Sequence, residues 1–174
     1  MKDFLRKIHL TNNFTIEFEI DKNDFFKILQ SNVDESQPDF FDAFSSSKNE
    51  YKGIVTQDSF EIKRKRRFFD MNFNFAKAKG TIIQRHSELI IDTEINAFQG
   101  NMIFMFISLI AFYLVFIIAF ATADDINGDA TGFAFPFILV HALFMFGIPY
   151  LLASRSVSRM KYDLERDLYF MIKK

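Results

Sequence analysis

The stretch MIFMFISLIAFYLVFIIAFATA, from Met102 to Ala123, decides how this chain is built, because its 22 residues carry no charge. A second uncharged run, FAFPFILVHALFMFGIPYLLA from Phe133 to Ala153, supplies 21 more residues. A helix rises about 1.5 Å per residue, so either run could cross a hydrocarbon core of roughly 30 Å. The core helix of a soluble protein normally keeps a polar stripe, which both runs lack. The sequence therefore predicts two transmembrane spans, residues 102–123 and 133–153.

The connection between the two spans predicts their arrangement and orientation. It contains Asn127-Gly128 and Gly132, which are turn signals, so we expect the spans to form an antiparallel hairpin. The connection has no lysine or arginine, whereas Arg155 and Arg159 closely follow the second span. Because basic residues are disfavoured on the translocated side, both termini are expected in the cytoplasm, with the spans in a bacterial inner membrane. The charged N-terminus lacks the apolar run of a cleavable signal peptide.

Residue types and spacing argue against catalysis. The chain has no cysteine, which excludes disulfides, zinc thiolate sites and cysteine nucleophiles. No phosphate-binding glycine loop, activated serine or metal-spaced histidine and carboxylate set is present, and His9 and His86 stand alone as surface or turn residues. Asp125, Asn127 and Asp129 alternate as in a calcium loop, but Pro136 stands where the bidentate glutamate belongs, which favours a solvated turn. We expect no enzymatic activity, no cofactor and no metal site.

The region before the first span has the alternation of β-strands. Phe14, Ile16, Phe18 and Ile20 alternate with polar residues and predict a strand followed by a helix capped at Asn23-Asp24. Residues 31–50 read as a connection. Further strands are expected in the ranges 51–57, 59–67, 72–75 with 80–84, and 89–95, with turns at Gln57-Asp58 and at 85–88. These roughly five strands are mostly linked by hairpins, so the sheet should be antiparallel.

A C-terminal helix completes the predicted fold. Its apolar residues recur at spacings of three and four, which places them on one stripe: Val157, Met160, Leu164, Leu168 and Met171. We expect this helix to cover the sheet rather than lie on the membrane. The predicted class is an α+β membrane protein. Its domains are a cytoplasmic β-rich domain (1–98), a transmembrane hairpin (99–154) and a cytoplasmic amphipathic helix (155–174).

The order of these segments also carries a resemblance. The runs Tyr51-Lys52-Gly53-Ile54, Ser59 to Arg64, Asn72-Phe73, Gly80-Thr81-Ile82 and Leu89 to Asp92 precede a membrane hairpin. This layout, over about Tyr51 to Ala153, resembles a broad group of small uncharacterised bacterial two-span membrane proteins. The resemblance implies the layout and no catalytic residues.

Two groups of residues are candidates for function. The first is the basic cluster Lys63, Arg64, Lys65, Arg66 and Arg67, which suits anionic lipid headgroups. The cluster equally suits a charged strand edge that prevents edge pairing and faces the acidic half of the same domain. Nucleic acid is disfavoured as its partner because lipid contact is the easier geometry for a domain held at a membrane.

The second candidate is a polar pair in the spans. His141 lies about eight residues into the second span, and Tyr113 is at a similar depth in the first, within hydrogen-bonding reach. Because no charged residue accompanies His141 in either span, a neutral imidazole that only ties the two helices together is favoured over a functional role.

These features predict a non-enzymatic, membrane-tethered binding or regulatory module. Its partners are the lipid bilayer and either an anionic lipid or a protein that contacts the cytoplasmic sheet. The alternative is an accessory or immunity-type membrane protein whose hairpin acts on another membrane protein or a toxin. The sequence leaves open whether the chain forms homo-oligomers.

Overall fold

The computed structural model describes residues 2–35, 48–65, 75–122 and 128–173, without the side chains of 101, 121 and 128–135. In chain order the elements are α1 (Lys2–Lys7), β1 (Thr11–Phe18), α2 (Lys22–Asn32), β2 (Val33–Glu35), β3 (Tyr51–Val55), β4 (Ser59–Arg64), β5 (Lys77–Arg85), β6 (Glu88–Asn96), α3 (Gly100–Thr122) and α4 (Gly128–Ile172). The chain divides into two compact units. The first comprises Met1–Phe98 and Ala153–Lys174, and the second Gln99–Leu152.

The first unit is built on a six-stranded sheet with the order β1-β6-β5-β4-β3-β2. Strand β2 pairs with β3 in parallel, and every other neighbouring pair is antiparallel. The predicted α+β class and the antiparallel character of the sheet are thus confirmed, apart from β2. Sequential hairpins join β3 to β4 and β5 to β6, as expected from their turn residues.

Several predicted boundaries differ from the structure. The strand expected at 14–20 begins earlier, at Thr11, and ends at Phe18. The connection at 31–50 contains the three-residue strand β2, which is too short to produce a readable alternation and forms by pairing with β3. The strand expected from residue 72 starts only at Lys77, and 72–74 lie outside the described residues. The connection predicted between the spans at 124–132 is longer than the structure allows. Helix α4 already begins at Gly128, so 128–132 are helical, whereas 123–127 lie outside the described residues.

Helix α2 begins at Lys22, three residues earlier than the sequence predicted. Its N-cap is Asp21 rather than Asn23-Asp24, because the Asp21 carboxylate accepts a hydrogen bond from the Asn23 amide at 2.8 Å. This bond satisfies one of the orphan N–H groups of the first turn. Phe25 and Leu29, one turn apart, are the buried residues of α2. The chain therefore passes through α2 from β1, at one edge of the sheet, to β2 at the other.

Two histidines occupy turn positions with positive φ angles. His9, with φ 56°, follows the unpredicted helix α1. The His9 amide donates to the Arg6 carbonyl and the Leu10 amide to the Leu5 carbonyl, which is the Schellman pattern that ends helices. His86, with φ 53°, is the first residue of the two-residue turn between β5 and β6. Both histidines thus lie in turns, where their backbone adopts the left-handed conformation.

One face of the sheet is apolar and buried. Its buried residues alternate along the strands and include Phe14, Phe60, Ile62, Ala78, Ile82, Leu89, Ile91 and Ile95. The C-terminal part of α4 presents a matching stripe of buried residues, Ala153, Val157, Met160, Leu164 and Leu168. Contacts join the two: the Tyr51 hydroxyl bonds to Asp167, and the Ala76 amide donates to Ser156 Oγ at 3.0 Å. We call this the covered face, and the other the open face.

The second unit contains α3 and the first part of α4, which continues without interruption from Gly128 to Ile172. Both helices are long and apolar enough to cross a membrane, over Met102–Phe120 and from Pro136 onwards. Only 6% of the most apolar window of each helix is buried. The rings of Phe106 and Phe146 stack at 5.8 Å, which brings the two helices into contact. Large apolar side chains such as Phe104 and Phe137 are otherwise exposed along both helices.

Candidate functional site

Lys63 and Arg64, the members of the predicted basic cluster that lie in β4, do not share one surface, because side chains alternate across a strand. Lys63 and Arg64 are consecutive in β4 and therefore point to opposite faces of the sheet. Arg64 lies on the covered face, where its guanidinium forms ion pairs with Asp163 of α4 and, at 3.5 Å, with Glu50. Arg66 and Arg67 lie outside the described residues. Among the residues of the predicted cluster, Arg64 thus forms its ion pairs within the fold.

The electrostatics of Arg64 agree with that assignment. Partial burial by itself lowers the pKa of the Arg64 guanidinium, but the carboxylates of Asp163 and Glu50 more than offset this, so its pKa is raised. The guanidinium is therefore charged at neutral pH. An arginine held between two carboxylates has little capacity left for an external anion.

On the open face, strand register places three lysines side by side. Lys63 of β4 lies directly opposite Lys52 of β3 and Lys77 of β5. Directly opposed residues have Cβ atoms about 5 Å apart, and like charges at that spacing repel one another. Asp34 of β2 ends the row next to Lys52. We call Lys52, Lys63 and Lys77 the lysine row, and it concentrates positive charge at one end of the sheet.

The lysine row differs from the rest of the open face. Lys52 is only 3% exposed, whereas Ile54, two residues along the same strand, is 65% exposed. One step from the row, Glu61 forms ion pairs with Lys79 at 2.8 Å and Lys77 at 3.8 Å. Sequence reasoning singled out Lys63 but missed Lys52 as a candidate. The missing information was the strand register, which no local pattern supplies.

A second polar group lies between the covered face and the end of α4. The Tyr51 hydroxyl, on a residue 2% exposed, donates to Asp167 Oδ2 at 2.7 Å. The other carboxylate oxygen of Asp167 accepts from the Arg166 guanidinium at 2.9 and 3.0 Å. Burial and the hydrogen bond to the Asp167 carboxylate raise the pKa of Tyr51 far above its usual value, so the phenol remains neutral. This bond anchors the C-terminal helix to β3.

An open cavity of about 500 Å³ adjoins this anchor. It is lined by Asn32, Lys48, Asn49, Glu50, Tyr51, Asp167, Phe170 and Met171. Charges of both signs line it, without a nucleophile and base arranged for catalysis. We assign this cavity no ligand.

In the second unit the structure brings together the two polar residues singled out from the sequence. The Tyr113 hydroxyl and His141 Nδ1 are 2.6 Å apart. Tyr113 is buried and only 8% exposed, whereas His141 is exposed. The His141 ring also stacks on Phe137, with centroids 6.1 Å apart. This pair is a polar cross-link between α3 and α4 in surroundings that are otherwise apolar.

Within the described residues, no three histidine, aspartate or glutamate side chains are grouped so that they could hold a metal ion. Asp125 and Asn127, considered for calcium, fall outside those residues. In comparisons with known proteins, no protein family, curated protein or solved structure matches this chain. The resemblance to small two-span membrane proteins therefore stays a prediction.

Proposed function

We propose that α3 and the first part of α4 span a lipid bilayer and tether the sheet to its surface. The observation that carries this proposal is the exposure of the two helices. Ten large apolar residues of α3 and eight of α4 before Ala153 are exposed among the described side chains. Even a strongly apolar core helix of a soluble protein is buried, and soluble proteins rarely expose apolar patches beyond a few hundred Å². Only a bilayer or a protein of equal apolarity would cover such a surface.

The contacts between the helices favour an antiparallel hairpin. Phe146 of α4 stacks on Phe106, near the start of α3, whereas His141, five residues earlier in α4, bonds to Tyr113, seven residues later in α3. Later residues of α4 thus contact earlier residues of α3, which is the pattern of two antiparallel helices. Within a bilayer, both ends of the hairpin then lie on one side.

The basic residues support a cytoplasmic location for that side. Arg155 and Arg159 follow the second span, whereas the connection between the spans holds no lysine or arginine. Basic residues near span ends favour the cytoplasmic side. In a bacterium the sheet would then be on the cytoplasmic side of the inner membrane and the connection on the periplasmic side.

We further propose that the protein is a non-enzymatic binding module whose open sheet face contacts anionic lipid. Within the lysine row, Lys52 is buried, whereas Lys63 and Lys77 are half-buried and accessible from the open face. The cytoplasmic leaflet attracts basic residues at its surface by about 1 kcal/mol each.

Lipid counting on the full chain tests this binding. Native mass spectrometry of the chain, extracted from a membrane of mixed phosphatidylglycerol and phosphatidylcholine, counts the lipids retained. We expect preferential retention of phosphatidylglycerol, about fivefold weaker in Lys63→Gln, since about 1 kcal/mol is lost. Lys27→Gln on α2, a matched loss of one exposed charge, should leave retention unchanged. Equal retention by both variants would contradict the lipid proposal and favour a protein partner.

The hairpin itself supports a second candidate function, association within the membrane. An exposed histidine on a span is costly in lipid and marks a polar contact. This candidate corresponds to an accessory or immunity-type protein that acts through its hairpin. Replacing both spans by unrelated apolar helices would abolish such activity and leave lipid binding by the sheet intact.

A further inference from the structure

The Tyr113 and His141 pair has one polar hydrogen more than it uses. A neutral histidine carries one N–H and a tyrosine one O–H, and a single hydrogen bond joins them. If the Tyr113 hydroxyl donates to Nδ1, the remaining hydrogen is on His141 Nε2. If Nδ1–H donates to the Tyr113 oxygen, Nε2 is a free acceptor and the hydroxyl keeps its hydrogen. In both states Nε2 lacks a partner within the described residues.

The position of His141 makes the missing hydrogen-bond partner of Nε2 costly, provided that the proposed insertion into a bilayer holds. His141 lies eight residues after Phe133, or about 12 Å along the helix, which is close to the middle of a 30 Å hydrocarbon core. Lipid tails offer no hydrogen-bonding groups, and an unsatisfied polar group there costs several kcal/mol. His141 is nevertheless exposed on the surface of α4. A polar partner from outside this chain would remove the cost.

We infer that the partner is a second copy of this chain, bound with the His141 face of its α4 against the same face. Around a two-fold axis normal to the membrane, identical groups meet at identical depth. The two Nε2 atoms are complementary because Tyr113 accepts either tautomer: one copy presents Nε2–H and the other a bare Nε2. The result is a hydrogen-bonded chain from Tyr113 through both histidines to the partner subunit's Tyr113.

The proposed dimer brings particular residues of α4 close to the two-fold axis. At about 100° per residue, Ile148 lies about 20° from His141 and Leu143 about 160° away, on the opposite side. Both residues are exposed. In the dimer the two copies of Ile148 approach each other across the axis, whereas the two copies of Leu143 point apart. Because the chain has no cysteine, single cysteines at these positions give unambiguous cross-links.

The experiment is oxidative cross-linking of the full chain in native membranes. Ile148→Cys should form a disulfide dimer and Leu143→Cys should not, since a disulfide needs Cα atoms within about 7 Å. Adding His141→Leu to Ile148→Cys should weaken dimerisation by roughly three- to twentyfold, the range expected for one interhelical hydrogen bond. Adding His141→Gln, whose amide both donates and accepts, should retain most of the dimer.

Three results would overturn the inference: no cross-link at Ile148→Cys, equal cross-linking at Leu143→Cys, or an Ile148→Cys cross-link that His141→Leu leaves unchanged. Alkaline carbonate extraction of each variant separates this failure from failure of the proposed tether. Retention of all variants in the membrane pellet, combined with any of those results, refutes the pairing alone. Release of the wild-type chain would refute the tether and the pairing together.

Discussion

Removing a single oxygen atom from Tyr51 tests how the C-terminal helix is fastened to the sheet. In Tyr51→Phe the ring keeps its buried position, but the hydrogen bond of 2.7 Å to Asp167 Oδ2 is lost. Arg166 continues to hold Oδ1 of the same carboxylate at 2.9 and 3.0 Å. The substitution therefore leaves one carboxylate oxygen without its donor at a site that is mostly shielded from water.

The expected loss is about 1.5 to 2 kcal/mol of unfolding free energy for the first unit. A hydrogen bond to a charged group contributes about 1.5 to 3 kcal/mol, and the lower part of that range applies because Arg166 still compensates the carboxylate. Tyr162→Phe is the control, since Tyr162 lies on α4, the helix that carries Asp167, and is 67% exposed. An exposed substitution of this kind should change stability by less than about 0.5 kcal/mol.

Urea-dependent pulse proteolysis of the full chain in mild detergent measures both values. A double-mutant cycle with Asp167→Ala should give a coupling energy of at least about 1 kcal/mol. A loss in Tyr51→Phe no larger than in Tyr162→Phe, or a coupling energy near zero, would refute the assigned bond.

The pH dependence provides an independent check on the same residue. The pKa of Tyr51 is raised in the folded chain, by burial and by the bond to Asp167, above its unfolded value of about 10. Its contribution is therefore complete below about pH 10 and is lost as the pH rises further. The stability advantage of the wild-type chain over Tyr51→Phe should fall by about 1.4 kcal/mol per pH unit above pH 10. An advantage that stays constant to pH 11 would contradict the raised pKa.

Further substitutions test the sheet, a helix cap and a turn, each by the same proteolysis measurement. Gly53→Ala should cost at least about 3 kcal/mol, because its Cβ would overlap a backbone carbonyl of β4. Gly80→Ala should cost less, about 1 to 3 kcal/mol, because the nearest atoms to its Cβ belong to the Phe60 side chain rather than to backbone. A larger cost at Gly80 would contradict this ranking. Asp21→Ala should lower the free energy of unfolding by about 1 kcal/mol and Asp24→Ala by clearly less. The reverse order would support the cap at Asn23-Asp24 that the sequence predicted. His86→Gly should raise stability by about 1 kcal/mol by relieving a positive φ, and any decrease would count against that strain.

Sequence patterns predicted the parts of the sheet in which local signals are strong. The alternation in β1, β4 and β6 and the turn residues at 57–58 and 85–88 were sufficient for most strands and both hairpins. Strand β2 was missed because three residues in a parallel pair leave no periodic pattern. Helix α1 was missed because it has only six residues and because the positive-φ position after it is His9, where a glycine would normally signal the end of a helix.

The candidate sites depend on information that is not local. Five consecutive basic residues read as one patch in the sequence, but strand alternation directs Arg64 to the covered face and Lys63 to the open face. Applying a period of two to the cluster would have separated them. The neighbours of Lys63 in the lysine row are 11 and 14 residues away in the chain and meet it only through strand register. The bond between Tyr51 and Asp167 joins residues 116 positions apart, beyond any local pattern.

The most direct test of the central proposal is the sidedness of two single cysteines, at Asn127 between the apolar helices and at Thr81 in β5. Intact bacterial spheroplasts carrying the full chain are treated with a membrane-impermeant maleimide, before and after lysis. We expect Asn127→Cys to be labelled in intact spheroplasts and Thr81→Cys only after lysis. Labelling of both cysteines only after lysis, with the chain recovered in the soluble fraction without detergent, would contradict the proposed two-span tether.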